Sequence, residues 1–135
     1  MKPIKTVFDT NVYLAASKQS SYARIQLQRA RPNGPYQLYI SPEIIIEIRS
    51  KLELKFGYTA EESGIFIEMV MIYATLIQPK QKISGVLKDA ADHIILECAL
   101  EANAKMIVSA DKGLLRLKEF RGIAIIHPTM LQYLT

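Results

Sequence analysis

The chain has 135 residues, half of them hydrophobic, and its 17 basic and 13 acidic side chains give a net charge of +4. This length and composition suit one globular domain covering residues 1–135, and the basic balance favours a polyanionic partner. No apolar run approaches the ~20 residues that a bilayer span needs, no signal peptide is visible, and the lone cysteine cannot form an internal disulfide. We therefore expect a cytoplasmic protein that does not enter a membrane.

Short apolar strands alternate with amphipathic helices along the chain. Ser41, followed by a proline, has the residue types that begin a helix, and Thr59 and Glu62 have the spacing of a capping box. Asp89 suits the cap of a later helix. The predicted elements are strand 4–8, helices within 11–31 with a break at 18–21, strand 36–40, helix 42–56, helix 60–73, a short strand at 76–77, helix 90–102, strand 106–109, helix 112–117, strand 123–126 and helix 128–134. Strands separated by helices predict an α/β fold with a mainly parallel sheet.

Acidic residues follow two of the predicted strands. Asp9 comes directly after strand 4–8, and Asp111 follows strand 106–109. In open parallel sheets, ligands bind beyond the carboxyl ends of the strands, at the point where the strand order reverses. If these two strands are neighbours, roughly 5 Å apart, both carboxylates can bind one ion.

Two more carboxylates belong to predicted helices. Asp92 lies in the first turn after Asp89, and its side chain should lean back toward the same edge of the sheet. Glu47 lies among isoleucines, either as an exposed residue of an apolar helix or as an inward-facing ligand. Each acid alone also fits a helix cap or a solvated position, whereas four converging carboxylates would repel one another and require a cation.

An all-carboxylate site indicates a hard divalent cation such as Mg²⁺, which prefers oxygen ligands and keeps much of its water shell. His93 and His127 lack ligand spacing, so the sequence does not indicate zinc. Beside a basic surface, such a site suits phosphodiester hydrolysis, because a bound metal lowers the pKa of the attacking water. The candidate phosphate contacts are Lys5, Arg24, Arg29, Arg31, Lys51, Lys55, Lys88, Lys112 and Arg116.

Four blocks of sequence resemble the successive acidic motifs of PIN domains. They are Phe8-Asp9-Thr10-Asn11-Val12, Ser41-Pro42-Glu43-Ile44-Ile45-Ile46-Glu47-Ile48, Asp89-Ala90-Ala91-Asp92-His93-Ile94-Ile95-Leu96-Glu97-Cys98-Ala99 and Ile107-Val108-Ser109-Ala110-Asp111-Lys112-Gly113-Leu114-Leu115. Their order and spacing agree with the family across nearly the whole chain. The likeness is greatest to PIN proteins described as toxin components of toxin–antitoxin systems.

The resemblance implies a three-layer α/β/α fold with a central, mainly parallel sheet of about five strands. It also implies a Mg²⁺ or Mn²⁺ site, cleavage of RNA, and an antitoxin partner whose segment fills the active-site groove. By motif, the catalytic and metal-ligand roles fall to Asp9, Glu47, Asp92 and Asp111. The accessory polar positions are Thr10, Asn11, Ser109 and Asp89, of which Asp89 is first a helix cap.

Three positions depart from the family pattern. Many PIN domains carry a further acid two positions after the fourth aspartate, where this chain has Gly113, and Ala91 and His93 stand where related chains often carry acids. We therefore expect one tightly bound ion, with a second arriving with RNA. Residues 65–72 carry more apolar side chains than one helix face needs, which fits either a homodimer interface or the core. Two other functions stay open: a PIN-like module that binds protein or RNA without catalysis, and a different Mg²⁺ enzyme such as a phosphatase or receiver domain.

Overall fold

Strands and helices alternate along the computed structural model, which describes residues 2–135. The strands are β1 (Ile4–Phe8), β2 (Tyr36–Ile40), β3 (Ala74–Leu76), β4 (Met106–Val108), β5 (Glu119–Phe120) and β6 (Ile123–Ile126). The α-helices are α1 (Thr10–Ala16), α2 (Tyr22–Gln28), α3 (Pro42–Lys55), α4 (Ala60–Tyr73), α5 (His93–Glu101) and α6 (Lys112–Leu117). Short 3₁₀ helices cover Ala90–Asp92 and Pro128–Tyr133.

The strands form one sheet in the order β3-β2-β1-β4-β6-β5, in which only β5 and β6 pair antiparallel. The chain builds outward from β1 to β3 and then returns to the other side of β1, so the strand order reverses between β1 and β4. These two strands pair directly, with Val7 beside Ile107 and Phe8 beside Val108. The three-layer α/β/α fold predicted from the sequence is confirmed.

The sheet has one strand more than the five expected. The two-residue strand β5 pairs Phe120 with Ile123 across a turn made of Arg121 and Gly122. Both turn residues have positive φ, 50° and 83°, as a type I′ hairpin turn requires. Because the usual signal for this turn is asparagine followed by glycine, an arginine–glycine pair beside so short a strand gives little indication of a hairpin.

Side-chain caps begin several helices where the sequence predicts them. Asp89 accepts the N–H of Ala91 at 3.0 Å, so its predicted role as a cap is confirmed. The turn that it caps is a 3₁₀ turn, however, and α5 begins only after it, a common arrangement at helix N-termini. The other capping side chains at predicted helix starts are Ser21 on α2, Ser41 on α3 and Thr59 with Glu62 on α4.

The core uses whole strands and one face of each helix. All of β4 is buried, as expected for a central parallel strand covered on both faces. On α3, the side chains of Ile44, Ile48 and Leu52 are fully buried at intervals of four residues. This row defines the inward face of α3 and leaves the adjacent rows of the helix nearer to solvent.

Helix α4 has apolar residues both inside and outside the core. Phe66 and Val70 are buried, whereas Ile65 and Ile72 are 61% and 76% exposed. The core therefore does not cover all the apolar side chains of residues 65–72, and an interface with a second copy stays a prediction.

Among the described residues, no helix has the length and apolar character needed to cross a membrane.

The irregular segment 77–89 is attached to one row of side chains on α5. Glu97, which is buried, accepts the N–H of Ile83 at 2.9 Å, and Glu101 accepts the N–H of Lys80 at 3.0 Å. One turn earlier, His93 Nε2 accepts the N–H of Leu87 at 3.0 Å. Three acceptors spaced four residues apart thus hold the segment that leads to the acidic turn before α5.

Candidate active site

Asp9 and Asp111 meet where the strand order reverses, and Ser109 joins them. Asp9 is buried, and its backbone N–H donates to the Val108 carbonyl at 2.9 Å. The Ser109 hydroxyl donates to Asp9 Oδ2 at 2.8 Å and accepts the N–H of Asp111 at 2.9 Å. Asp111 Oδ2 accepts the N–H of Leu114 at 3.0 Å, so the same carboxylate begins α6. The ends of β1 and β4 therefore fix both acids in one polar network.

Asp92 differs from Asp89, although both lie in the same turn. The Asp89 side chain is exposed and is used as a cap. Asp92 is half-buried, and its carboxylate makes no capping hydrogen bond at the start of α5. The Asp92 carboxylate is therefore available to a ligand, while an accessory role of Asp89 stays a prediction.

Glu47 lies on α3 between two fully buried positions, Ile44 and Ile48. The sequence left open whether Glu47 is exposed or faces inward. Its side chain is half-buried, so it is not a freely solvated residue. Its negative charge acts on both Asp9 and Asp92, so α3 brings this carboxylate to the same cluster.

Mutual repulsion among these acids appears in two pKa values. Burial raises the pKa of Asp9, its hydrogen bonds oppose the rise, and the charges of Asp111 and Glu47 add to it. Burial also raises the pKa of Asp92, to about 6, with further increases from its acidic neighbours, Asp111 first and Asp89 among the others. The structure thus places the four acids close enough for their charges to act on one another, and their role as metal ligands stays a prediction.

The donor chemistry fits a hydrated divalent cation. Within residues 2–135, no three His, Cys, Asp or Glu side chains are arranged to hold a metal ion directly. Mg²⁺ commonly takes only one or two carboxylates and fills its other positions with water. The hydroxyl of Thr10, the residue after Asp9, is buried and has no hydrogen-bond partner. These residues therefore fit Mg²⁺ or Mn²⁺ bound partly through water.

Two predicted phosphate contacts are engaged elsewhere in the fold. Arg24 Nε donates to the Ala16 carbonyl at 2.6 Å, and its guanidinium lies 5.8 Å from the centre of the Phe66 ring. The Arg24 side chain therefore caps a backbone carbonyl at the C-terminal end of α1. Arg29 donates to the Leu131 carbonyl at 2.9 Å and holds the C-terminal segment. Neither guanidinium projects freely toward a substrate.

Four other candidates lie on the elements that carry the acids. Lys112 and Arg116 are on α6, whose capping residue is Asp111, and Lys51 and Lys55 lie one and two turns beyond Glu47 on α3. Lys5 does not share this position, since it precedes the end of β1 by about 10 Å at the usual rise of a strand. Contact of any of these side chains with RNA stays a prediction.

The sequence-based site omits two aromatic side chains at the far end of the helix that carries Glu47. Phe56 directly follows α3 and is 51% exposed. Its ring contacts Tyr58 edge-on, with the two centroids 6.5 Å apart. Together with Asn11, an accessory position of the motif, they line a groove between α1 and α3. The sequence gives no signal for this exposure, because Phe56 continues the four-residue spacing of the buried Ile44, Ile48 and Leu52 and would be expected in the core.

Comparisons with known proteins show the family and the fold of the chain. The family model described as PIN domain matches residues 5–113, a range that contains all four acids of the cluster. A chain of VapBC2 from Rickettsia felis, solved bound to a DNA fragment from their promoter, is similar in structure with a TM-score of 0.65. The match covers 92% of this chain and 98% of that chain at 14% sequence identity, so it shows the fold. No curated protein matches the sequence.

Proposed function

The chain belongs to the PIN domain family, and on this premise we propose that it is a metal-dependent endoribonuclease. Hydrolysis of RNA phosphodiester bonds takes place at Asp9, Glu47, Asp92 and Asp111, in the cytoplasm. The observation that carries this proposal is the convergence of four carboxylates, from four separate segments, at the reversal of the strand order. Such repulsion costs stability unless a cation compensates it, which supports a metal centre over a purely structural cluster.

Each residue of the cluster has a distinct task in this proposal. Mg²⁺ or Mn²⁺, when bound, supplies a Lewis acid that lowers the pKa of a water for attack on phosphorus. Asp9, which the hydroxyl of Ser109 fixes, and Asp92, whose carboxylate makes no capping hydrogen bond, hold the ion. The hydroxyl of Ser109 keeps Asp9 oriented and favours its charged form. The unpartnered hydroxyl of Thr10 is available to orient a water molecule.

A toxin–antitoxin role follows from the same premise. It is supported by the motif blocks and, at the level of the fold, by the structural likeness to a chain of VapBC2. The exposed Ile65 and Ile72 on α4 supply apolar surface for a second copy of the chain. The acidic cluster would attract a basic side chain of an antitoxin segment that enters the groove.

A catalytically weak PIN-like module that binds RNA or protein is the second candidate. Gly113 favours it, because a Cβ atom at this position would lie only 3.0 Å from Asp111 Oδ2. An acid at this position would therefore need Asp111 to shift, and the cluster keeps four carboxylates rather than five. This candidate predicts RNA binding without metal-dependent cleavage.

Cleavage of labelled single-stranded RNA tests the proposal. We expect the purified protein to produce shorter fragments with Mg²⁺ or Mn²⁺ and none with EDTA. Asp9→Asn keeps the size of the side chain but removes its charge, and we expect it to abolish cleavage. Glu119→Gln, the matched control, removes an exposed carboxylate of β5 and should cleave like the wild type. Binding without cleavage, for several unrelated RNAs, would favour the second candidate.

A further inference from the structure

A groove leads away from the acidic cluster between α1 and α3. We call it the α1–α3 groove, and its volume is about 590 Å³, within the range of small-ligand sites. None of the four acids lines it, so it is a feature separate from the metal site. The lining residues that matter here are Asn11, Lys18, Lys51, Lys55, Phe56 and Tyr58.

The groove shares its two helices with the acidic site. On α1, Asn11 comes two residues after Asp9. On α3, Glu47, Lys51 and Lys55 follow one another at intervals of four residues and therefore lie in one row. At a rise of 1.5 Å per residue, the two lysines lie ~6 Å and ~12 Å beyond the glutamate along the helix axis. A chain lying in the groove would thus have one end at the carboxylates.

The charges along the groove are positive. Lys18 and Lys55 are exposed and Lys51 is half-buried. Within residues 2–135, the one ion pair closer than 4.0 Å joins Arg49 to Glu53, so none of these three lysines has a carboxylate partner. Three unpaired ammonium groups beside an acidic site suit the phosphates of an extended nucleic acid.

The aromatic wall is held in place by its own contacts. Gly57, with a φ of +73°, turns the chain so that the Tyr58 ring meets the Phe56 ring. The Tyr58 hydroxyl donates to Ser17 Oγ at 3.2 Å, and its backbone N–H donates to the Leu52 carbonyl at 3.0 Å. Phe56 is left half-exposed on a fixed support, as a ring that stacks on a nucleobase must be.

We propose that the α1–α3 groove is a nucleotide subsite: Phe56 stacks on one unpaired base of the RNA, and Lys51 and Lys55 bind the phosphates between that base and the cleaved bond. This inference rests on the proposed ribonuclease function, and it requires that the RNA be single-stranded beside the scissile phosphate. A base inside a duplex is already stacked and paired, so it cannot reach Phe56 without being extruded.

Binding measured without metal separates the groove from catalysis. In EDTA, fluorescence anisotropy gives the dissociation constant of a labelled single-stranded RNA for each variant. We expect Phe56→Leu, which keeps apolar volume but removes the ring, to weaken binding by about 5- to 150-fold, the range for loss of one stacked base. Tyr133→Leu, the control, removes a ring that is 71% exposed at the other end of the chain and should change little.

The lysines are tested by the dependence of binding on salt. For Lys51→Gln combined with Lys55→Gln, the slope of log affinity against log salt should fall by about 1.4, since each phosphate contact on a single strand contributes ~0.7. The control is Lys82→Gln combined with Lys105→Gln. It removes the same two positive charges from exposed positions outside the groove. We expect its slope to equal that of the wild type.

Stacking itself is tested with RNAs that each lack one base. One abasic position should weaken binding to the wild type by the same factor as Phe56→Leu and should not weaken binding to that variant further. Unchanged affinity and salt slope in the groove variants of a chain that cleaves RNA would overturn the subsite, leave the ribonuclease standing, and point to a protein segment in the groove. Groove-dependent RNA binding without any metal-dependent cleavage would support the subsite and reject the proposed function.

Discussion

The hydroxyl of Ser109 donates a hydrogen bond to Asp9 across 100 residues of sequence, at a distance of 2.8 Å. The same oxygen accepts the N–H of Asp111, so one side chain links the acids that follow β1 and β4. This link depends on the direct pairing of the two strands. It makes Ser109 a positioning residue for the cluster.

Ser109→Ala should weaken the metal site without unfolding the protein. Loss of the donor leaves Asp9 less well oriented and raises its pKa further, because the hydrogen bond from Ser109 now lowers it. We expect Mn²⁺ affinity to fall by about 10- to 100-fold, as for other outer-shell partners, and the pH at half-maximal activity to rise. Calorimetry and a pH–rate profile measure these effects. A normal pH profile with reduced activity would mean that Ser109 acts only through stability.

Replacing Asp92 with asparagine should stabilise the metal-free protein at neutral pH. The folded-state pKa of Asp92, about 6, lies above its ordinary value of 3.8, so the folded protein binds more protons between these values. Its stability therefore falls as pH rises from about 4 to about 6, whereas the Asp92→Asn side chain has no proton to lose. Thermal unfolding in EDTA should show the variant melting above the wild type at pH 7 and the difference vanishing near pH 4. A lower melting temperature for the variant at pH 7 would contradict the repulsion argument.

Glu97 should control the order of segment 77–89. Glu97→Leu leaves the N–H of Ile83 buried without an acceptor, a loss of about 1–3 kcal/mol. Glu97→Gln retains an oxygen acceptor and serves as the control. We expect faster amide hydrogen exchange at Ile83 and lower nuclease activity in the leucine variant, since this segment leads to Asp92. Equal exchange rates in both variants would show that the hydrogen bond does not hold the segment.

Metal stoichiometry should reflect the four-carboxylate cluster. Gly113 supplies no fifth acid, and Asp111 Oδ2 already accepts the N–H of Leu114. We expect titration calorimetry with Mn²⁺ to give one tight site per chain without RNA, and a second ion to bind when a non-cleavable RNA analogue adds phosphate oxygens. Two tight sites in the protein alone would refute this expectation.

Much of the fold could be predicted from the sequence because its signals are local. The capping box of Thr59 and Glu62 and the cap at Ser41 begin helices at the predicted positions. The hairpin at Arg121 and Gly122 could not be predicted, since the positive φ of an arginine is set by pairing across the turn. The capping residue also does not predict whether the helix is an α-helix or a 3₁₀ helix. Asp89 accepts a backbone N–H at the start of a 3₁₀ turn, and an aspartate at the start of an α-helix would do the same.

The position of Asp9 and Asp111 at one edge of the sheet could be predicted, whereas the surroundings of the basic side chains could not. Motif resemblance assigns Asp9 and Asp111 their places without knowledge of strand order. Nothing in the sequence distinguishes Arg24, whose guanidinium binds backbone carbonyls, from Lys51, which stays unpaired beside a groove. The exposed ring of Phe56 is visible only once α1 and α3 are packed together. Long-range contacts therefore decide which basic and aromatic side chains are available to RNA.

The metal dependence of RNA cleavage tests the central claim most directly. The initial rate is measured over a range of Mn²⁺ concentrations for the wild type, Asp9→Asn and the control Glu119→Gln, with folding verified for each. We predict that the wild type and the control give the same saturating curve, and that Asp9→Asn gives no cleavage or needs at least about 10-fold more Mn²⁺. Coinciding curves for the wild type and Asp9→Asn would show that the cluster of Asp9, Glu47, Asp92 and Asp111 is not the site of the reaction.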